Sequence, residues 1–534
     1  MPSADYVIVG AGSAGCVLAN RLSEDPGTTV LLLEAGGKDS SINIKAPAAF
    51  AKQFKSKLDW DYSTEPEPGC DGRSIYVPRG KSLGGSSSMN AMLYVRGRPL
   101  DYDLWERDGA AGWGWDDVRP YFLRAEHNER GASEHHAVGG PLNVMDERSP
   151  RTLTRDFLAS CEAAGIPYVD DYNGPEQDGC SLAQVTQRGG KRFSTADAYL
   201  RPAQERPNLT VVTGAQVLGL EFAGDRAIGV RYAKGRRRVE AVASATREVL
   251  LSAGTLNSPQ LLMLAGIGPA EQLRAHGIDV RVDAPGVGQN LQDHPYVGGV
   301  WDVPGGGSLA DAETPKALVE WLARKSGPLT SSICEAFAFV RSRPGLPAPD
   351  LQFHFAPAYF VDNGFEEYDG HAVTFGGVLV SPKSRGEVTL RSADPLDKVR
   401  ILTNSLTEPE DVAALVAGLK VAREIAASGP YASTLGKELY PGEEVVDDLD
   451  LEEHTRRNVE LLYHPVGTCR MGSDEESVVD PDLRVRGVEG LRVVDASVMP
   501  LVPGGNTNAP TIMIAERAAD LIRGRVSSPV PAAA

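Results

Sequence analysis

The sequence predicts an α/β fold: a parallel-sheet domain drawn from both ends of the chain, with an α+β domain on an antiparallel sheet inserted between them. Three observations carry this. The chain opens as strand, glycine turn, helix and strand over residues 5–33. Strand–helix alternation returns at 247–264 and 491–523. Between about 300 and 456 the pattern changes to short alternating strands punctuated by Pro and Gly.

In order, Asp5-Tyr6-Val7-Ile8-Val9 is an apolar strand, Gly10 to Gly15 a turn, and a helix runs to about Ser23 before a second strand at Thr29–Leu33. A polar, Gly/Pro-rich stretch continues to about residue 100. Residues 209–213, 217–222 and 228–232 read as short strands, with Pro/Asn and Gly/Asp marking the turns between them. Arg247–Ser252 is a buried strand followed by a helix through Leu264. The middle has breaks at 304–307 and 344–349, strands near 372–380 and 387–391, and a helix at 409–427. A short strand at Leu491–Val494 and an apolar-faced helix at 509–523 close the chain. The first domain is therefore placed at 1–298 and 458–527, with parts of 150–200 free to join the second, at 299–457. A disordered tail is expected at 528–534. No internal repeat interrupts this plan.

At 534 residues the chain can bury a large core. Its 54 basic and 72 acidic residues leave a net charge of −18, which excludes a phosphate-binding surface for nucleic acid and disfavours an anionic membrane. No apolar run approaches the ~18 residues of a membrane span, and no basic leader precedes the first strand. The six cysteines are scattered, without C-x-x-C or metal-ligand spacing. A cytoplasmic protein without a metal is expected, with peripheral membrane association left open.

Gly10-Ala11-Gly12-Ser13-Ala14-Gly15 fits G-x-G-x-x-G and lies between a strand and a helix. The first glycine makes the tight turn, the second admits pyrophosphate to the backbone, and the third packs helix on strand. Free N–H groups at the helix start face the phosphates. Glu34 ends the second strand, near the spacing for an acid that binds ribose hydroxyls. A Rossmann-like dinucleotide site follows, and Glu34 disfavours a 2′-phosphate. The fingerprint alone does not separate NAD from FAD.

Three later segments decide between them. Arg79-Gly80-Lys81-Ser82-Leu83-Gly84-Gly85-Ser86-Ser87-Ser88-Met89-Asn90 is dense in small residues and can lie flat against a phosphate and a ring. The second is Ser252-Ala253-Gly254-Thr255-Leu256-Asn257-Ser258-Pro259-Gln260, running on to Gly268. The third joins Tyr463-His464-Pro465-Val466-Gly467-Thr468 to Val494-Asp495-Ala496-Ser497 and Asn506-Thr507-Asn508-Ala509-Pro510-Thr511. Together they resemble the glucose–methanol–choline (GMC) oxidoreductase family over about residues 4–524, most of all its bacterial aliphatic alcohol dehydrogenases and its choline dehydrogenases. Ala265 departs from the usual Ser of the second signature.

The resemblance implies FAD. It implies that Gly12, Ser13, Ala14, Gly15 and Glu34 bind the ADP half and that the Val217 backbone holds adenine. Ser82, Gly85 and Ser86, with Asn90, Ala91, Met92 and Leu93, would border pyrophosphate and flavin, and Asp495, Ala496, Asn508 and Thr511 would close the site. Relatives that tether FAD covalently use a His where this chain has Met89, so non-covalent FAD is expected.

Alcohol oxidation needs a base for the hydroxyl proton while hydride leaves carbon, and imidazole suits that work. Of nine histidines, His464 occupies the family motif of the catalytic His. Its partner position falls on Asn506, an amide that can donate to the developing alkoxide but cannot act as base. His294 is read as structural, and His354 as a candidate cavity residue. Trp60 and Tyr463 are candidate pocket walls, and Phe355 sits in an apolar run suited to an alkyl or aryl tail. Tyr296 stands where choline-oxidising relatives carry Glu, and Glu335 is the carboxylate that could replace it.

The expected function is oxidation of a primary alcohol, aliphatic or aryl, to an aldehyde. Choline oxidation is the alternative, and an FAD-containing hydroxynitrile lyase is the alternative of another class. A nicotinamide dehydrogenase is disfavoured because no second strand–GxGxxG–helix unit exists. The partner is a small-molecule alcohol; the electron acceptor (oxygen, a quinone or a carrier protein) is left open.

Overall fold

The computed structural model describes residues 2–235 and 238–526; the expected tail at 528–534 lies outside the described residues. Strand Ser3–Val9 is apolar and buried from Tyr6 to Val9 because there it lies between two parallel neighbours, Val30–Glu34 and Val239–Leu251, with helices over the sheet. Leu209–Thr213 extends the sheet in parallel beyond Val30–Glu34, and Leu491–Val493 pairs in parallel with residues 249–251. The long strand Val239–Leu251 changes partner along its length: its first half pairs antiparallel with Arg226–Lys234, which pairs in turn with Ala215–Ala223. Helix Ser13–Leu22 packs against the C-terminal helix Asn508–Ile522, and Arg21 donates at 2.8 Å to the fully buried Glu516 of that helix. The two ends of the chain thus share one core.

A second, wholly antiparallel sheet has the order 438–440, 295–302, 372–379, 351–356, 336–340, 179–182, with Glu460–Leu461 also on the edge of 295–302. It reaches past the boundaries expected at 298 and 458, because pairing to 372–379 begins at Tyr296 and residues 460–461 pair back onto Pro295–Tyr296. Helix Pro409–Ala426 lies on this sheet. An added Cβ on Gly377 would meet the Gly418 Cα at 3.4 Å, so the two glycines let helix and sheet backbones touch. Helix Thr152–Ala163 joins the same core through Phe157, stacked on Phe355 at 4.5 Å between ring centres. All six cysteines are buried and free, and no metal-binding cluster occurs among the described residues.

Candidate active site

A cavity of about 450 Å³ opens at the carboxyl ends of the parallel strands and reaches the antiparallel sheet. This is where open α/β sheets bind ligands. At one end it is lined by Gly10, Gly12, Ser13, Ala14, Glu34, Gly85, Ser86 and Val217, and in the middle by Asn90, Ala91, Leu93, Asp495, Ala496, Asn508 and Thr511. Tyr296, Tyr463, His464 and Asn506 stand at the other, while Trp60 lines the wall beside Lys81, whose Nζ lies 3.9 Å from its ring centre.

The dinucleotide end is shaped for a ligand. Gly10 has φ +98°, and a Cβ there would meet the Ser252 carbonyl oxygen at 2.4 Å, so only glycine makes this turn. Gly15 packs its helix on the strand, its Cβ direction ending 1.9 Å from the Gly10 oxygen, and it does not line the cavity. A Cβ on Gly12 meets nothing within 4 Å, and the helix it precedes has no side-chain cap. The first-turn N–H groups are thereby left to an anionic ligand. Glu34 is pinned by the N–H groups of Ala11 (2.8 Å) and Gly36 (2.7 Å); burial lifts it to about 6 against their pull and that of Lys81. Ser13 Oγ donates to Asn508 Oδ1 at 2.7 Å, tying the first turn to the last helix. Asp495 accepts from Gly254 N–H (2.8 Å) and Ser258 Oγ (2.6 Å), fixing the segment before that helix. Ser252 Oγ and His354 Nε2, both on the cavity wall, have no protein partner. An apolar, glycine-walled slot with these donors and one buried acid on its wall fits a flavin dinucleotide.

At the far end the backbone aims His464. Tyr463 holds φ +66°, a left-handed conformation that a bulky residue keeps only under constraint. The constraints are Arg79, which donates to the Tyr463 carbonyl, and Asn363, whose Oδ1 accepts from the Tyr463 hydroxyl at 2.5 Å. Asp293 Oδ1 accepts from the backbone N–H groups of both His294 (2.7 Å) and His464 (2.8 Å). Burial pushes its carboxyl up to about 7, with these donors and Arg79 opposing.

The hydrogen bonds assign protons around the imidazole. Gln352 Nε2 donates to Asn506 Oδ1 at 3.3 Å, so Asn506 Nδ2 faces His464 Nε2 at 3.1 Å as a donor. His464 Nε2 therefore carries its lone pair on the cavity side. Its Nδ1–H donates to His294 Nδ1 at 3.0 Å. His294 is 0% exposed, and burial holds it down to about 3. Burial, with His294, His354 and Arg79 beside it, holds His464 well below the ordinary histidine value. A neutral imidazole whose Nε2 lone pair is held only by the Asn506 N–H, and an amide with its second N–H to spare, can take a hydroxyl proton and hold the oxygen once an alcohol displaces that contact.

Several expected residues lie elsewhere. Glu335 is turned from the cavity toward Thr154, Ser331 Oγ (2.7 Å) and the Arg151 N–H (2.8 Å), beside buried Glu147. Phe355 is buried against Phe157, on the face of its strand opposite His354. Ser82 and Met92 are buried just behind the wall, Met92 at φ +61°. Sequence reasoning also missed the positions of Arg79, Asp293, His294 and Gln352. The alternation of Gln352 and His354 within one strand is the signal that could have found Gln352.

The family model for the N-terminal part of GMC oxidoreductases matches residues 4–296, and that for the C-terminal part matches residues 382–515. The chain belongs to the GMC oxidoreductases. Members of this family are FAD-dependent enzymes. An alcohol dehydrogenase [acceptor] of Pseudomonas putida is 44% identical over 531 residues, 98% of this chain and 96% of that one. The mitochondrial choline dehydrogenase of Homo sapiens is 45% identical over 541 residues, 97% of this chain and 90% of that one. Among solved structures, pyridoxine 4-oxidase from Mesorbium loti superposes with a TM-score of 0.88 at 33% identity, over 98% of this chain and 99% of that one. No helix among the described residues is long and apolar enough to cross a membrane.

Proposed function

We propose that this GMC oxidoreductase oxidises an uncharged primary alcohol, aliphatic or aryl, to its aldehyde, with His464 as general base. The observation that carries this is the cavity-facing lone pair of His464 Nε2 beside the Asn506 amide at 3.1 Å. FAD, held without a covalent bond, supplies the hydride acceptor. Glu34 and the Gly12 turn bind its ADP half, and the residues from Gly85 to Leu93 border its ring. His464 Nε2 receives the hydroxyl proton, and the free Asn506 N–H donates to the oxygen as negative charge develops there. Met89 lines the cavity with a thioether, which cannot form the histidyl tether of covalent relatives. Phe50, Phe54, Phe360 and Ile333 give the substrate end an apolar wall.

One observation favours choline as the second reading. Glu460 lines the cavity on the strand paired with Tyr296, and could face a quaternary ammonium beside Tyr463. Burial pushes Glu460 up to about 7, so much of its charge is absent near neutrality, and one oxygen accepts the Asn363 N–H at 3.2 Å. Comparing kcat/KM for choline, a medium-chain alkanol and a benzylic alcohol tests the assignment. Preference for choline by about tenfold, ~1.4 kcal/mol, would replace it. Anaerobic bleaching of the yellow absorbance by the alcohol separates oxidation from carbon–carbon lyase chemistry.

A further inference from the structure

The helix Pro315–Arg324 buries Ala317 and Trp321 and leaves Leu318 at 41%, Val319 at 64% and Leu322 at 53% exposure. At 100° per residue the three exposed side chains fall within one ~100° arc, an apolar stripe turned away from the protein. Lys316 flanks the stripe on one side; on the other Lys325 folds back, its Nζ donating to the Leu322 carbonyl at 2.7 Å. Trp321 anchors the helix on Ala46 and Ala49, and the segment carrying Ala49 continues to Phe50 on the substrate end of the cavity.

The surroundings are basic in a protein of net charge −18. Arg148 Nε donates to the Lys325 carbonyl at 2.6 Å, and the turn at Gly190 abuts the same carbonyl. That places Arg148, Arg188 and Lys191 at the C-terminal end of the helix with Arg324 and Lys325. Among the described residues none of these five, nor Lys316, is in an ion pair with a carboxylate. Two acids share this surface: Glu320 accepts from Ser326 Oγ at 3.1 Å and Asp311 lies 4.0 Å from Arg151, so the cations of the rim outnumber them.

From this stripe and its cationic rim we propose that the helix Pro315–Arg324 docks the enzyme on an anionic phospholipid bilayer, with the mouth of the substrate cavity beside the membrane. Leucine and valine side chains of an interfacial helix enter the boundary of the acyl chains while lysine and arginine remain at the phosphates. A second copy is a poor occupant. A two-fold contact through the stripe would set each cationic rim against itself, and the repulsion would go unneutralised. The inference does not depend on which alcohol is oxidised.

The test is co-sedimentation of the FAD-loaded enzyme with vesicles of phosphatidylcholine alone and of phosphatidylcholine mixed with phosphatidylglycerol. Binding is expected on the mixed vesicles and should weaken as salt rises. Val319→Asp/Leu322→Asp and, separately, Lys316→Glu/Arg324→Glu should each lower the partition coefficient on the order of tenfold or more. Both variants should keep parental turnover of a small water-soluble alcohol, which shows that they are folded. No binding to the mixed vesicles, parental binding by either variant, or equal and salt-independent binding to both vesicle types would each overturn the proposal. So would a parental dimer that the Val319→Asp/Leu322→Asp variant dissociates in light scattering.

Discussion

Replacing His464 by alanine removes one imidazole with two side-chain hydrogen bonds, to His294 Nδ1 at 3.0 Å and Asn506 Nδ2 at 3.1 Å. The Asp293 bond to the residue 464 backbone N–H survives, because it does not involve the side chain. Glu34 and the Gly10–Gly15 turn lie at the opposite end of the cavity, so FAD should stay bound. The chemical loss is that of a general base, roughly 10²–10⁴ in rate, or about 2.7–5.5 kcal/mol of barrier. His294 Nδ1 is left buried without its donor, at a structural cost of about 1–3 kcal/mol that a melting curve would show separately. The assay is stopped-flow loss of flavin absorbance on anaerobic mixing with a benzylic alcohol. A full-amplitude, several-hundred-fold slower transient is expected. Reduction within about fivefold of the parent would refute the assignment of the base and direct attention to His354, the other cavity-facing imidazole.

Two further outcomes follow from the same geometry. Acid or heat precipitation should release yellow FAD into the supernatant, because Met89 stands where a tethering histidine would be; colour retained in the washed pellet contradicts non-covalent binding. The His464 value is depressed, so its imidazole stays unprotonated as pH falls through the ordinary histidine range and loses competence only well below it. In an Asp293→Asn/Glu460→Gln variant, which removes the two neighbouring carboxyls lifted to about 7, the anaerobic reduction rate should accordingly stay nearly level from pH 8 to pH 6, changing by less than about twofold, whereas an acid limb centred at or above the unperturbed value of 6.5 would show that His464 titrates freely.

Much of the fold was legible in the sequence because the signals are local. The turn at Gly10 must be glycine, as its φ of +98° and the 2.4 Å approach to Ser252 require, and a glycine pattern between strand and helix announces such a turn. The helices expected at 409–427 and 509–523 are observed at Pro409–Ala426 and Asn508–Ile522, since apolar periodicity is written within one segment. Motifs likewise mark the two segments that set His464 and Asn506 together on the cavity wall.

What only the tertiary structure decided is which side chains meet, and which way each faces. His294 reads as structural in sequence, yet its Nδ1 meets that of His464 from 170 residues away, because Asp293 collects the backbone N–H groups of both histidines. Phe355 and His354 are adjacent in sequence and lie on opposite faces of one strand: one enters the core, the other the cavity. Glu335 had the right charge for a cation site, but Thr154 and Ser331 hold it inside the fold. The stripe on the helix Pro315–Arg324 shows the same divide. Its apolar residues are plain in the sequence, and only packing decides that Trp321 turns inward while Val319 and Leu322 meet water. Sequence periodicity specifies an element and its two faces; the direction each face takes depends on long-range packing, which no local window contains.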